Sequence, residues 1–338
     1  MMYQNIVDNT PHISTVGMEY EAWRKKRMES LGGSDAGAVM GMNTFASPLT
    51  LYLRKKGLVA APETSRAAKR GKILEPVIRQ LTGEDFPQLV IEPVPFMFFH
   101  PLYPFISANI DGVVYAHEVV HVRGEDIVGI GGHEIKSAKT GYGWGEDEIP
   151  DNYYCQVQHY MAVLGLPWFM VSVYILDGEE IRHYIIRRNE EFVDKLIAAE
   201  KDFWETYIVP GVMPAATGIE NEDDMITGMF AGTRGTIRLG DAERELCAEH
   251  VRLNAAKKDI ENHMKAIAVT VKEAIIQNAG DNLVEKKASA VAGPYSVSWS
   301  FFETRRVDTD ALKKAGLYDQ YAKATETDRF TITEKKGA

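Results

Sequence analysis

The 338-residue sequence predicts an α/β (α+β) fold: a central mixed β-sheet flanked by helices, with a small α+β appendage towards the C-terminal end. Three observations carry that expectation. Helix-period segments and β-branched, strand-like runs alternate through the first 205 residues. Trp168–Leu176, Asp177-Gly178 and Glu180–Arg187 spell a hairpin, two apolar runs around an Asp-Gly turn. A Pro- and Gly-bearing acidic stretch over 209–224 then separates this part from a long charged helix and a few short strands. The expected division is a core over 1–209, a linker over 210–240 and an accessory region over 241–338.

The elements are read in order. Residues 20–30 form a basic amphipathic helix. Leu31-Gly32-Gly33-Ser34-Asp35 follows, with Ser34 at an N-cap position and Ala36–Met40 as the first turns of the next helix. Ser47-Pro48 opens a helix that runs to Lys56 and stops at Gly57, and a linker containing Pro62 leads on. Arg66–Thr82 is helical, with Glu75 on or near its apolar stripe; that carboxylate needs a partner, either a metal or Arg79 or Lys72. Strands are expected at Val90–Phe99, Tyr103–Ala108, Ile110–Val120 and Ile127–Ser137. Asp151 caps a helix that ends at Leu164 before Gly165, with Gln158 on the face carrying Tyr154, Val157 and Met161. Asn189 caps another helix, with Phe192, Leu196, Ala199 and Phe203 on one stripe. Beyond the linker the pattern gives a helix over Asp241–Gln277, two strands within 282–302, a helix over Val307–Tyr321 and a last strand at Phe330–Thr333.

Composition excludes several classes. An apolar content of 45% with 25% charged residues is that of an ordinary globular protein. No apolar run reaches the roughly 18–20 residues that span a bilayer, and the first residues lack a basic and an apolar signal region, so a cytoplasmic setting without membrane contact is expected. The two cysteines, Cys155 and Cys247, make no disulfide framework and are too few for a cysteine-bound cluster. The net charge is −10, yet eleven basic residues and only three acids lie between Arg24 and Lys72. A basic front and an acidic back suit a polyanion entering from one side.

The chemistry concentrates in residues 106–136. Asp111 precedes a valine-rich run, and Glu134 and Lys136 close the next one. Residues i and i+2 of a strand share a face, so Glu134 and Lys136 point the same way while Ile135 packs on the other side. Two carboxylates at strand ends can hold a hard divalent cation, and an adjacent ammonium can orient a water or stabilise developing negative charge. This Asp…Glu-x-Lys arrangement suits metal-dependent phosphodiester cleavage. The glycine-rich entry at Gly32-Gly33 offers backbone N–H groups to an anion, with Ser34 and Arg27 able to add a hydroxyl and a guanidinium. His117-Glu118-Val119-Val120-His121 matches the zinc-protease pattern, but that chemistry needs a helix. This segment reads as strand, where residues i and i+4 lie roughly 13 Å apart.

Five ordered blocks give the chain a family resemblance over roughly residues 20–205. They are Trp23-Arg-Lys-Lys-Arg27 with Leu31-Gly-Gly-Ser34-Asp35, Gly71-Lys-Ile-Leu-Glu75-Pro, Ser107-Ala-Asn-Ile-Asp111-Gly, Glu134-Ile-Lys136, and Tyr154-Cys-Gln-Val-Gln158-His-Tyr-Met. Together they resemble the lambda-exonuclease or YqaJ-type phage recombinases, of the PD-(D/E)xK restriction-endonuclease-like superfamily. The chain looks like the exonuclease of a phage-like or conjugative-element recombination pair. The resemblance implies that Asp111, Glu134 and the backbone carbonyl of Ile135 bind Mg²⁺ or Mn²⁺, two ions per site. Lys136 would activate the attacking water, Glu75 would support the metal site and Gln158 would position Lys136 or the water. Trp23, Arg27 and Ser34 would bind substrate, the latter two at the 5′-phosphate. It further implies a ring-shaped homotrimer that digests duplex DNA ends 5′→3′ and passes the 3′ overhang to a single-strand annealing protein. Two departures stand out: Ile110 replaces the superfamily's proline, and Ala108-Asn109 stand where the lambda enzyme has a serine near the phosphate. The alternatives are an endonuclease or a Cas-type nuclease on the same core, the latter disfavoured by the missing cysteines, or a DNA-binding subunit without catalysis.

Overall fold

The computed structural model describes residues 1–59, 65–230, 235–280, 287–325 and 327–334. They fall into two compact units, Met1–Ala231 and Gly232–Ala338. The first begins with α1 (Gln4–Asn9), β1 (His12–Ser14), α2 (Tyr20–Met28), β2 (Leu31–Gly32), α3 (Gly33–Val39), α4 (Pro48–Lys55) and α5 (Arg66–Asp85). The strands β3 (Leu89–Glu92), β4 (Phe96–Phe99), β5 (Ile106–Ala108), β6 (Gly112–Val122) and β7 (Glu125–Ala138) follow. Then come α6 (Asp151–Leu164), β8 (Trp168–Ile175), β9 (Glu180–Arg187), α7 (Glu190–Phe203), a π-helical turn at Trp204–Ile208 and α8 (Glu220–Thr227).

Two sheets build this unit. The larger has the order β3-β6-β7-β8-β9, antiparallel except for the parallel pair β7–β8. The smaller has the order β1-β4-β5-β2, with β2 and β5 parallel. Helix α6 fills the space between them. Its Val157, Tyr160 and Met161 share one core with Phe98, Ile106 and Ala108 of the small sheet and Phe169, Val171 and Val173 of the large one. The other face of β8 sends Trp168 and Met170 into a second core with Val114, Val122 and Ile127. The run Trp-Phe-Met-Val-Ser-Val-Tyr-Ile thus lacks polar alternation because both faces of this strand are covered. A Cβ at Gly131 or Gly132 would sit 2.2 Å from the Trp168 ring or 2.1 Å from that of Phe169, so β7 needs glycine where these rings cross it.

Most elements match the sequence, and the differences have local causes. Ser34 is the second residue of α3; the cap is Gly32, whose N–H donates to Asp35 Oδ2 at 2.9 Å. Asp151 opens α6 after an N-cap at Pro150, and Gly165 ends it at φ 67°. His117 and His121 lie in β6, an extended strand. The helical H-E-x-x-H site therefore does not form, and His121 instead meets Asp126 at 3.0 Å. The expected linker at 210 is displaced, because 210–230 packs on the first unit. Tyr52 Oη donates to the carbonyl of Gly211 at 2.9 Å, and the buried Glu222 accepts from Ser47 Oγ at 2.5 Å and from the N–H of Gly218 at 2.7 Å. Pro62 and residues 231–234 of the expected linkers lie outside the described residues.

The second unit contains α9 (Asp241–Ala279), one unbroken helix of 39 residues, and the antiparallel pair β10 (Lys287–Ala292) and β11 (Tyr295–Ser300). The helix expected over Val307–Tyr321 is two short ones, α10 (Thr309–Lys314) and α11 (Tyr318–Tyr321), broken at Gly316 with φ 67°. Phe330–Thr333 is not a strand. No helix among the described residues is long and apolar enough to cross a membrane.

Candidate active site

The site lies where β6 and β7 part. Their pairing ends at Gly112 opposite His133, so the next backbone N–H of β7 in that ladder has no strand partner. The Asp111 side chain takes its place: Oδ2 accepts from the N–H of Ile135 at 2.8 Å. That bond fixes the first acid beside Glu134, which is itself buried at 3% exposure. Strand alternation turns Glu134 and Lys136 together towards α6. Lys136 Nζ donates to Glu134 Oε1 at 2.5 Å and to Gln156 Oε1 at 3.1 Å. From the α5 side, Arg79 donates to Glu75 Oε1 at 2.6 Å and to the carbonyl of Asp111 at 3.0 Å, tying the third acid to the same corner. Of the two basic residues the sequence offers Glu75, the structure selects Arg79.

Gln158 does not join this cluster. Its Nε2 donates to the carbonyl of Arg187 at 2.7 Å and its Oε1 accepts from the N–H of Asn189 at 3.0 Å, which pins the β9–α7 connection. The glutamine at the site is Gln156. Its Nε2 donates to Glu134 Oε1 at 2.8 Å and to Tyr160 Oη at 2.9 Å, while its Oε1 receives Lys136. The apolar stripe points to the wrong residue because α6 is covered nearly all round: Cys155 through Met161 are all buried. On such a helix polarity does not mark a face, and two residues along the chain reverse it.

The electrostatics follow from packing acids into a closed corner. Burial, and then the charges of Glu134 and Glu75, push the Asp111 carboxyl well above its ordinary range. Burial also raises Glu134, against the pull of Lys136 and Gln156. The ammonium of Lys136 suffers the same burial, but Glu134 and Asp111 outweigh it and hold the charged form. Glu134 Oε2 is buried with no hydrogen-bond partner among the described residues. An orphaned anionic oxygen next to a second carboxylate is a large cost unless a cation answers it. Oxygen donors in this state fit a hard divalent ion. Among the described residues no three Asp, Glu, His or Cys side chains converge on one point, so Asp111 and Glu134 are a two-acid set. Mg²⁺ accepts such a set, because it retains several of its waters.

A cleft of about 980 Å³ opens from this corner, lined by Asp111, Glu134, Glu75, Trp23, Arg27 and Ser34. Six residues expected from four separate sequence blocks thus face one space. Lys136 stands behind Glu134 and Gln156, with its side chain 18% exposed. Arg27 Nη2 donates to Ser34 Oγ at 2.7 Å, and the guanidinium lies over the Trp23 ring at 4.8 Å. Lys55 underpins this wall, bonding Asp35 at 2.7 Å and the Arg27 carbonyl at 2.8 Å. Of the other lining residues, Lys69, Lys72 and Tyr160 bear on the chemistry. Lys69 and Lys72 bring positive charge from α5, and Tyr160 closes the floor against Gly33, where a Cβ would lie 2.5 Å from its ring. Lys69 and Lys72 were visible only as part of the basic front.

Comparison with known proteins adds the following. Residues 19–167 match the family model of the YqaJ-like viral recombinase domain. The chain is 26% identical over 324 residues to the uncharacterized protein YqaJ of Bacillus subtilis (strain 168), covering 94% of this chain and 95% of that one. Among solved structures it is similar to an alkaline exonuclease, LHK-Exo, from Laribacter hongkongensis, with 21% identity, a TM-score of 0.43, and coverage of 55% of this chain and 91% of that one. It is also similar to a phage-related exonuclease from Haemophilus somnus 129PT, with 13% identity, a TM-score of 0.39, and coverage of 54% and 96%.

Proposed function

We propose, from the match of residues 19–167 to the YqaJ-like viral recombinase domain, that the protein is a divalent-metal-dependent DNA exonuclease acting on duplex ends. One observation carries the reading most: the paired acids Asp111 and Glu134 open into the same basic-walled cleft as Arg27 and Ser34. A phosphate held by Arg27 and Ser34 places the neighbouring phosphodiester against two acids, an arrangement with little purpose in a protein that only binds DNA.

Asp111, Glu134 and the carbonyl of Ile135 would hold Mg²⁺ or Mn²⁺, as one or two ions. The ion would supply Lewis-acid polarisation of the scissile phosphate and an acidified water. The protein's own groups do the rest. The Ile135 N–H orients Asp111, and Arg79 draws Glu75 to the same corner. Gln156 and Glu134 fix the Lys136 ammonium, which stabilises negative charge developing on the phosphate. Lys69 and Lys72 draw the polyanion in, so binding should weaken steeply with salt. Within this reading the polarity is 5′→3′, the product is a 3′ overhang for a single-strand annealing protein, and the working form is a homotrimer in the cytoplasm.

The test is time-resolved digestion of end-labelled linear duplex with Mg²⁺, with and without a 5′-phosphate, beside a covalently closed circle. Loss of the 5′ label first, slower attack on the dephosphorylated end and an intact circle are expected. Cleavage of the circle would favour an endonuclease, and normal digestion by Lys136→Ala would reject the site.

A further inference from the structure

A column of rings runs from the candidate site to the protein surface. The Lys136 ammonium lies 4.6 Å from the centroid of the Tyr153 ring. Tyr153 stacks on Trp144 at 5.5 Å and an interplanar angle of 27°. Trp144 leans on Tyr184 at 5.8 Å, and the far face of the column carries Arg123 over Tyr184 at 4.9 Å. The column is fixed from the side. Trp144 is buried, its carbonyl accepts from Arg182 Nη1 at 2.6 Å, and Tyr184 Oη donates to the carbonyl of Gly145 at 2.8 Å. The ring facing the lysine is therefore braced from behind.

The hold on Lys136 has an internal conflict. Its shortest contact is Glu134 Oε1, an oxygen of one of the two acids offered to a cation. A carboxylate shared with a cation binds an ammonium less strongly, and the like charges of ion and ammonium repel. Gln156 and the Tyr153 ring are the partners that carry no formal charge to give up. Of these, only the ring attracts the ammonium without also binding Glu134, as Gln156 does.

We propose that Tyr153 is a positioning residue for Lys136. Its ring, braced by Trp144 and Tyr184, retains the ammonium at the site when Glu134 is engaged by a cation. The proposal rests on the nuclease reading for the work Lys136 does, but not for the contact itself. It gives the loop between β7 and α6 a role: the Trp144 within it supports a group that would otherwise swing free.

The experiment places phenylalanine and then progressively fluorinated phenylalanines at position 153 of the full chain. These rings are close to isosteric, while fluorine drains the negative face that attracts a cation. In the Mg²⁺-loaded protein, acylation of Lys136 by an amine-reactive reagent is followed by mass spectrometry, with the metal-free protein, where Glu134 holds the ammonium, as the reference. In the Mg²⁺-loaded protein, kcat and KM for duplex digestion are measured. Tyr153→Phe should match the wild type. Each added fluorine should speed acylation and lower kcat at unchanged KM, the whole series spanning between about threefold and thirtyfold. Tyr153→Leu should behave as the end of the series. A flat series in both measurements overturns the proposal. If Lys136→Ala still digests DNA, the nuclease reading fails instead, and the acylation series alone then decides whether the ring holds the lysine.

Discussion

Gln156 donates to Oε1 of Glu134 at 2.8 Å, from the buried middle of α6 to the end of β7. The same amide receives Lys136, so one side chain sets both the acid and the base-side ammonium. Gln156→Ala should therefore cost about ten- to a hundredfold in kcat, the usual range for a group that orients ligands. Gln158→Ala should instead lower thermal stability by about 1–3 kcal/mol, the worth of the two part-buried hydrogen bonds that hold the β9–α7 connection, with kcat per folded molecule retained. Steady-state kinetics and a melting curve on both variants separate the roles; the reverse pattern would restore Gln158 to the site.

Divalent cations should stabilise the folded protein. Asp111 and Glu134 repel one another, and Glu134 Oε2 has no partner among the described residues. Mg²⁺ or Mn²⁺ at a hundred times its dissociation constant should add about 2.7 kcal/mol. The melting shift should vanish in Asp111→Asn and Glu134→Gln, while the metal-free variants melt no lower than the wild type. A full shift in either variant would place the ion elsewhere.

The pH dependence has a definite sign. Asp111 is raised well above its ordinary value by burial and by Glu134, and Glu134 is raised by burial. A carboxyl whose folded pKa exceeds its unfolded one binds the proton more tightly when folded. Its contribution is therefore full below the ordinary carboxylate range and is lost as pH rises through the raised value. Metal-free protein should gain stability on acidification through that window, and Asp111→Asn should flatten the gain. Cleavage needs both acids ionised around the cation, so the acid limb of kcat/KM should move to lower pH as Mg²⁺ is raised, because the ion competes with the protons.

Arg27 reaches Ser34 across the cleft wall. Arg27→Ala should reduce the preference for a 5′-phosphorylated end by roughly tenfold or more, the worth of a hydrogen bond to a charged group. Rates on phosphorylated and dephosphorylated duplex give the ratio. An unchanged ratio would remove the phosphate from this wall.

Gly132 faces the Phe169 ring, where an added Cβ would lie at 2.1 Å. Gly132→Ala should destabilise the fold by about 1–3 kcal/mol through overpacking, and denaturant melting reads this directly. An unaltered midpoint would show that β7 yields more easily than its glycines suggest.

The sequence by itself determined the order of elements around the site and the residue types that make its chemistry. Glu134 and Lys136 were legible as a pair because strand alternation is local: two residues apart means one face. The basic front was legible because charge can be counted. What tertiary structure decided is every choice between residues that local periodicity treats alike. Helix α6 lies between two sheets, so burial does not mark one of its faces, and only its seating against β7 selects Gln156 over Gln158. Glu75 had two cationic neighbours on its own helix, and the fold chose Arg79, which also reaches the Asp111 carbonyl. The stretch after 210 carries the prolines and glycines of a linker, yet Ser47, 175 positions away from Glu222, binds it to the first unit. Composition measures what a segment can do alone; a hydrogen bond between distant parts of the chain exists only once the chain has folded.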